Sequence, residues 1–97
     1  MIILDYRDTR PLYEQIVDKF QMLILSGALE LNSRMPSVRS LAVELSINPN
    51  TIQRAYSELE RNGFLYTVKG NDRIGQFGHY HVGTHINEAH SMYIIGA

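Results

Sequence analysis

A chain of 97 residues, of which 44% are hydrophobic and 20% charged, can bury the core of one globular domain. It has no cysteine, which excludes disulfides and thiolate metal sites and favours a reducing compartment, and its net charge of -1 excludes a uniformly basic surface. No segment approaches the about 18 apolar residues of a membrane span and the acidic start does not resemble a signal peptide, so we expect a cytoplasmic protein with no membrane partner.

The first predicted element is a long amphipathic helix over residues 11–26, because apolar residues recur at spacings of three and four in LYEQIVDKFQMLIL. Pro11 suits a first helical turn, and Gly27 suits a helix stop. The connection that follows has no sustained period. We expect one short strand in it, around Leu29 to Leu31.

The next stretch predicts two short helices separated by a tight turn. Ser37 offers a cap to the first helix, which can be only about two turns long. Its apolar residues are Val38, Leu41, Ala42 and Leu45. Asn48 and Pro49 open the second helix, which we expect to run to Asn62 and stop at Gly63. The inward residues of this second helix are Ile52, Ala55, Tyr56 and Leu59.

Two strands follow, because FLYTVKG and QFGHYHVGTHI are rich in aromatic and β-branched residues and a turn is expected between Gly70 and Gly75. Residues 87–97 could form a further strand or a loose terminus. The predicted fold class is mainly α with a small β-hairpin, an α+β arrangement. We expect one domain over residues 1–75 and a C-terminal tail over residues 76–97 that could form a strand.

The two close helices point to a function. Helices joined by so short a turn cross steeply and, with a preceding helix, form a helix-turn-helix whose second helix can enter the DNA major groove. If the apolar face of that helix is buried, side chains that can pair with base edges project outward. They are Asn50, Gln53, Arg54 and Ser57. Any exposed helix carries such residues, but Ala42 at the crossing and Ile47 in the turn favour the helix-turn-helix.

Phosphate-binding residues are expected beside this helix. Arg34, Ser37 and Arg39 lie where the first helix of the pair meets the DNA backbone, and residues 34–73 hold six basic against four acidic residues. Lys69 and Arg73 at the hairpin tip could follow the minor groove or could be solvated surface charges. Both readings stay open for these last two residues.

Two stretches together resemble the DNA-binding domain of GntR-type bacterial transcription regulators, and most closely its YtrA-type branch. They are PLYEQIVDKFQMLILSGAL and MPSVRSLAVELSINPNTIQRAYSELERNGFLYTVKG, so the resemblance covers about residues 5–70. It implies a winged helix-turn-helix, a three-helix cluster plus a wing, that binds an operator as a dimer and usually represses transcription. By position, the family's DNA contacts fall on Ser37, Arg39, Asn50, Thr51, Gln53 and Arg54.

The sequence departs from the family pattern after residue 70. The wing tip reads NDRIGQFGHYHV in place of a second glycine and a short hydrophobic strand, and residues 71–97 resemble neither a ligand domain nor a helical dimerisation tail. Four histidines in this part, His79, His81, His85 and His90, could bind a metal, although their spacing matches no zinc motif well and exposed polar residues are the more ordinary reading.

The function predicted from the sequence is sequence-specific DNA binding by a homodimer on a palindromic operator, with residues Asn48 to Glu60 inserted as a helix and repression as the expected outcome. A winged-helix module that binds another protein is one alternative, and a metal-responsive regulator using the histidines is another. No cofactor is expected. No arrangement of residues suggests an enzyme.

Overall fold

The protein is described by a computed structural model over residues 2–68 and 79–84. Its elements, in chain order, are the helices α1 (Leu12–Leu25), α2 (Val38–Leu45) and α3 (Pro49–Arg61) and the strands β1 (Leu65–Val68) and β2 (His79–Val82). The three helices and the hairpin confirm the predicted α+β class. Lys69, Arg73, His85, His90, the hairpin turn and the terminal segment 87–97 lie outside the described residues.

The ends of the two short helices follow from local chemistry. The Ser37 hydroxyl accepts a hydrogen bond from the Ser40 N–H at 3.0 Å at the start of α2. The Asn48 side chain accepts from the Asn50 N–H at 2.8 Å at the start of α3, whose first residue is Pro49. These contacts supply acceptors for N–H groups that a helix start leaves unpaired. Both predicted caps are confirmed.

Helix α3 lies at the centre of the molecule, where it packs against α1, α2 and β1. Its four predicted inward residues, Ile52, Ala55, Tyr56 and Leu59, are all fully buried. They meet Phe20 of α1, whose ring centroid lies 6.0 Å from that of Tyr56 in an edge-to-face contact. Such pairs add about 0.5–1.5 kcal/mol to the stabilisation that comes from burial alone. This core holds the opposite side of α3 toward solvent.

The hairpin is part of a wider set of paired backbone segments. β1 and β2 pair antiparallel, with Leu65 opposite Val82 and Val68 opposite His79. On its other side, β2 bonds with residues 32–35, where the Met35 N–H donates to the Tyr80 carbonyl at 2.8 Å and the Val82 N–H donates to the Ser33 carbonyl at 2.9 Å. β2 therefore runs between two neighbours and links the hairpin to the segment that enters α2.

The predicted strand at Leu29 to Leu31 is wrong. The chain reverses there, because both the N–H and the hydroxyl of Ser33 donate to the Glu30 carbonyl and Asn32 has a positive φ of 68°. A turn that uses these groups leaves no extended run to pair. Strand-like pairing begins only after this turn, where Arg34 forms an antiparallel bridge with His81.

The N-terminal arm is fastened to α1 by polar contacts. The buried Gln15 side chain accepts from the Asp5 N–H at 3.0 Å, and Arg10 bonds with both Asp8 and Asp18. The Arg10 guanidinium beside Asp8 holds the pKa of that carboxyl below its usual value. These contacts hold residues 5–10 against α1.

Candidate nucleic-acid interface

The candidate interface is the outer face of α3. Burial of the inner face turns the predicted base-reading residues outward, and all four, Asn50, Gln53, Arg54 and Ser57, are exposed. Thr51 is half-buried near the helix start, and Asn48 is exposed at the cap. Because Ser46, Ile47 and Asn48 alone separate α2 from α3, the two helices form the tight turn that a helix-turn-helix requires.

Arg54 is held by an aromatic ring of α1. Its guanidinium carbon lies 3.8 Å from the centroid of the Tyr13 ring. A cation over an aromatic face contributes about 0.5–1 kcal/mol at an exposed site, and the stacked guanidinium keeps its edge available for hydrogen bonds. No role is predicted for Tyr13 from the sequence, where its only signal is its place in the leading PLYEQI helix.

Gln53 is held by two hydroxyl groups. Its amide nitrogen donates to the Ser57 hydroxyl at 3.2 Å, one helical turn along, and to the Tyr80 hydroxyl at 2.9 Å, on β2. The Tyr80 ring packs edge-to-face on Tyr56, with the centroids 5.0 Å apart. Tyr80 is a second residue for which the sequence predicts no role, and it brings the hairpin into contact with the outer face of α3.

The start of α2 carries the predicted phosphate-binding residues. Ser37 caps the helix and Arg39 is exposed in its first turn. The buried Tyr56 hydroxyl donates to the Pro36 carbonyl at 2.8 Å and so ties this end of α2 to α3. Burial raises the pKa of Tyr56, so this hydroxyl stays protonated and remains a donor. The start of α2 is thereby held against the middle of α3.

Arg34 contacts the hairpin. Its guanidinium lies 2.7 Å from the Nδ1 atom of His79, at the start of β2. His81, two residues along the strand, stacks on Tyr66 with the centroids 5.4 Å apart.

Across residues 2–68 and 79–84, no three histidine, cysteine, aspartate or glutamate side chains come together to hold a metal ion. A guanidinium beside His79 is also an unfavourable neighbour for a metal cation.

Comparison with known proteins agrees with this geometry. The family model of bacterial regulatory proteins of the gntR family matches residues 12–71. The chain therefore belongs to the gntR family, and both the predicted family and the predicted winged helix-turn-helix fold are confirmed.

Individual relatives are similar over the same part of the chain. The HTH-type transcriptional repressor YtrA of Bacillus subtilis is 44% identical over 70 residues, which are 72% of this chain and 54% of that protein. The uncharacterised HTH-type transcriptional regulator YhcF of the same organism is 40% identical over 65 residues, again 54% of its length. The chain thus spans about half the length of these curated relatives.

Solved structures have the same fold. YtrA from Sulfolobus acidocaldarius, a GntR-family transcription factor, has a TM-score of 0.75 and 30% identity over 98% of this chain and 93% of that one. The DNA-binding domain of AraR in complex with operator ORR3 has a TM-score of 0.66 at 23% identity, over 86% of this chain and 92% of that one. Among the described helices, none has the length and apolarity needed to cross a membrane.

Proposed function

We propose that this protein binds a specific double-stranded DNA operator in the bacterial cytoplasm and represses transcription there. The observation that carries the proposal is the division of α3, whose inner face is fully buried while the side chains of Asn50, Gln53 and Arg54 are exposed. Arg can pair with guanine, and Asn or Gln with adenine, in the major groove. The proposed activity is binding and includes no catalytic step.

Phosphate contacts would set the position of α3 on the duplex. In the proposed docking, the α2 start meets the sugar-phosphate backbone, with the N–H groups of its first turn, the Ser37 hydroxyl and Arg39 as donors. Arg34, which precedes that helix, would add a cationic donor. Lys69 and Arg73 remain proposed contacts of the hairpin tip with the minor groove.

We propose a homodimer on a palindromic operator as the working form. Two copies related by a two-fold axis would read half-sites about one helical turn apart, roughly 34–36 Å between centres. Support comes from the family to which the chain belongs and from the name of its Bacillus subtilis relative, a transcriptional repressor. Light scattering of the free protein and of its DNA complex would show one copy or two.

The test is selection from a pool of randomised duplexes. We expect the unmodified protein to enrich one motif, with symmetric halves if a dimer binds. A variant with Asn50, Gln53 and Arg54 all replaced by alanine keeps good helix formers on an exposed face, so it should fold and yet enrich no motif. Arg61→Ala is the matched control, because Arg61 is exposed at the far end of the same helix and pairs with Glu58.

Two results would contradict the proposal. One is that the unmodified protein enriches no motif, and the other is that the triple variant enriches the same motif as the unmodified protein. A protein-binding module would give the first result, since its partner surface would not depend on base-reading side chains.

A further inference from the structure

The side chain of Gln53 offers only part of its hydrogen-bonding capacity to solvent. A glutamine amide has two N–H donors and one carbonyl oxygen that accepts. In this structure the amide nitrogen donates to both Ser57 and Tyr80, at 3.2 and 2.9 Å. Both donors are therefore occupied, and the described contacts leave the carbonyl oxygen as the group available to a base.

The position of the Tyr80 hydroxyl is set by the packing of its ring and the pairing of its backbone. The Tyr80 ring packs at 70° against the fully buried ring of Tyr56, with the centroids 5.0 Å apart. The Tyr80 backbone carbonyl accepts from Met35, and its strand pairs with β1 on the other side. These contacts restrict the ring and the backbone of Tyr80, and with them the position of its hydroxyl.

Ser57 is the second hydrogen-bond partner of the Gln53 amide. It lies four residues after Gln53 on α3, and side chains at this spacing are neighbours on a helix surface. Two anchors, one on the helix and one on the hairpin, restrict rotation of the amide. Restriction before binding lowers the entropy cost of making a base contact and selects one presented edge.

We propose that Tyr80 is a specificity-determining positioning residue that makes Gln53 an acceptor toward DNA. This inference rests on the proposed DNA-binding function and deepens it. A freely rotating glutamine can pair bidentately with adenine, where its N–H donates to N7 and its carbonyl oxygen accepts from N6. With its donors held by Tyr80 and Ser57, Gln53 selects bases that present an exocyclic amine in the major groove, which are adenine through N6 and cytosine through N4.

The test compares base preferences among variants of the full chain, all selected on the same randomised duplex pool. Gln53→Ala first identifies the base position that Gln53 reads, as the position where the preference disappears. At that position we expect the unmodified protein to prefer adenine or cytosine over guanine or thymine by about fivefold or more. Tyr80→Phe keeps the ring and removes only the hydroxyl, and it should reduce this preference several-fold at that position alone.

The matched control is Tyr66→Phe. It removes a tyrosine hydroxyl from the neighbouring strand β1, where that hydroxyl donates to the Asn32 side chain at 3.2 Å. Its base preferences should equal those of the unmodified protein. Thermal unfolding of both variants, followed by circular dichroism, would show that the hairpin fold is retained.

Several results would overturn the inference. They are an unchanged preference in Tyr80→Phe, a preference for guanine or thymine at the position that Gln53 reads, and an even loss of affinity for all duplexes in Tyr80→Phe. In each case a motif is still enriched by the unmodified protein, so the proposed function survives. Failure of the unmodified protein to enrich any motif would instead refute the proposed function, and this inference with it.

Discussion

Replacement of Arg54 by alanine separates the structural contribution of this residue from its contribution to DNA recognition. In the free protein this replacement removes the guanidinium and, among the described residues, its stack on Tyr13 at 3.8 Å. That contact contributes about 0.5–1 kcal/mol, and alanine is the best helix former, so the free energy of unfolding should fall by less than about 1 kcal/mol. In the complex, loss of an arginine–guanine pair should reduce discrimination by about 1–3 kcal/mol, or about 5- to 150-fold.

The assay is a fluorescence anisotropy titration with the selected operator and with a scrambled duplex, repeated at several salt concentrations. If Arg54 reads a base, the ratio of the two affinities falls and the slope of log affinity against log salt is unchanged. If Arg54 binds a phosphate, both affinities fall together and the slope decreases by about one. Arg61→Ala, at the other end of α3, should change neither the ratio nor the slope.

Tyr13→Leu extends the same experiment to the residue beneath the guanidinium. Arg54 is retained but no longer stacks on an aromatic ring. The ratio of operator affinity to scrambled-duplex affinity should therefore fall by about two- to fivefold, the equivalent of about 0.5–1 kcal/mol. In the double variant with Arg54→Ala, the change at Tyr13 should have no further effect. An Arg54→Ala variant with an unchanged affinity ratio and an unchanged salt slope would refute the assignment of Arg54 to the DNA interface.

Three further predictions concern the free energy of unfolding, measured by urea titration. Tyr56→Phe removes the hydrogen bond to the Pro36 carbonyl, 2.8 Å long, and should cost about 1–2 kcal/mol. Asn48→Ala removes the acceptor for the Asn50 N–H and should cost about 1 kcal/mol. Ala42→Leu adds a larger side chain to a position that is 4% exposed in the core, and should cost about 1–3 kcal/mol.

Each of these three predictions has its own contradicting result. Tyr56→Phe as stable as the unmodified protein would mean that the hydroxyl contributes nothing to the contact between α3 and the α2 start. Asn48→Ser should retain stability, and equal loss in Asn48→Ser and Asn48→Ala would exclude capping as the cause. Unchanged stability of Ala42→Leu would show that α2 and α3 are not closely packed at that position.

The helical part of the fold could be predicted because its signals are local. The caps at Ser37 and Asn48 and the apolar spacing in α3 depend on residues within two helical turns, and the structure agrees at each. The strand expected at Leu29 to Leu31 failed because a strand needs a partner, and β2 pairs with the residues just after that stretch. The predicted boundary at residue 75 stays a prediction, although β2 lies beyond it and pairs with β1.

The residues of the candidate site could be predicted from the sequence, but the side chains that they contact could not. The outward position of Gln53 and Arg54 follows from helix geometry once the buried face is known. Their partners, Tyr80 and Tyr13, are distant along the chain, and which residue of β2 reaches α3 depends on strand register. Register changes by one residue would turn Tyr80 away and bring a histidine inward, a choice that no local pattern decides.

The middle position of β2 limits how the wing can respond to DNA. A strand with a neighbour on each edge cannot swing away alone, because displacement would break its pairing with β1 and also release Met35, which is 3% exposed, from its backbone bond. We therefore expect the wing and the entrance to α2 to shift as one body. Under the proposed function, a groove too wide or too narrow for that body would be rejected as a whole, so operator shape would be sensed together with operator sequence.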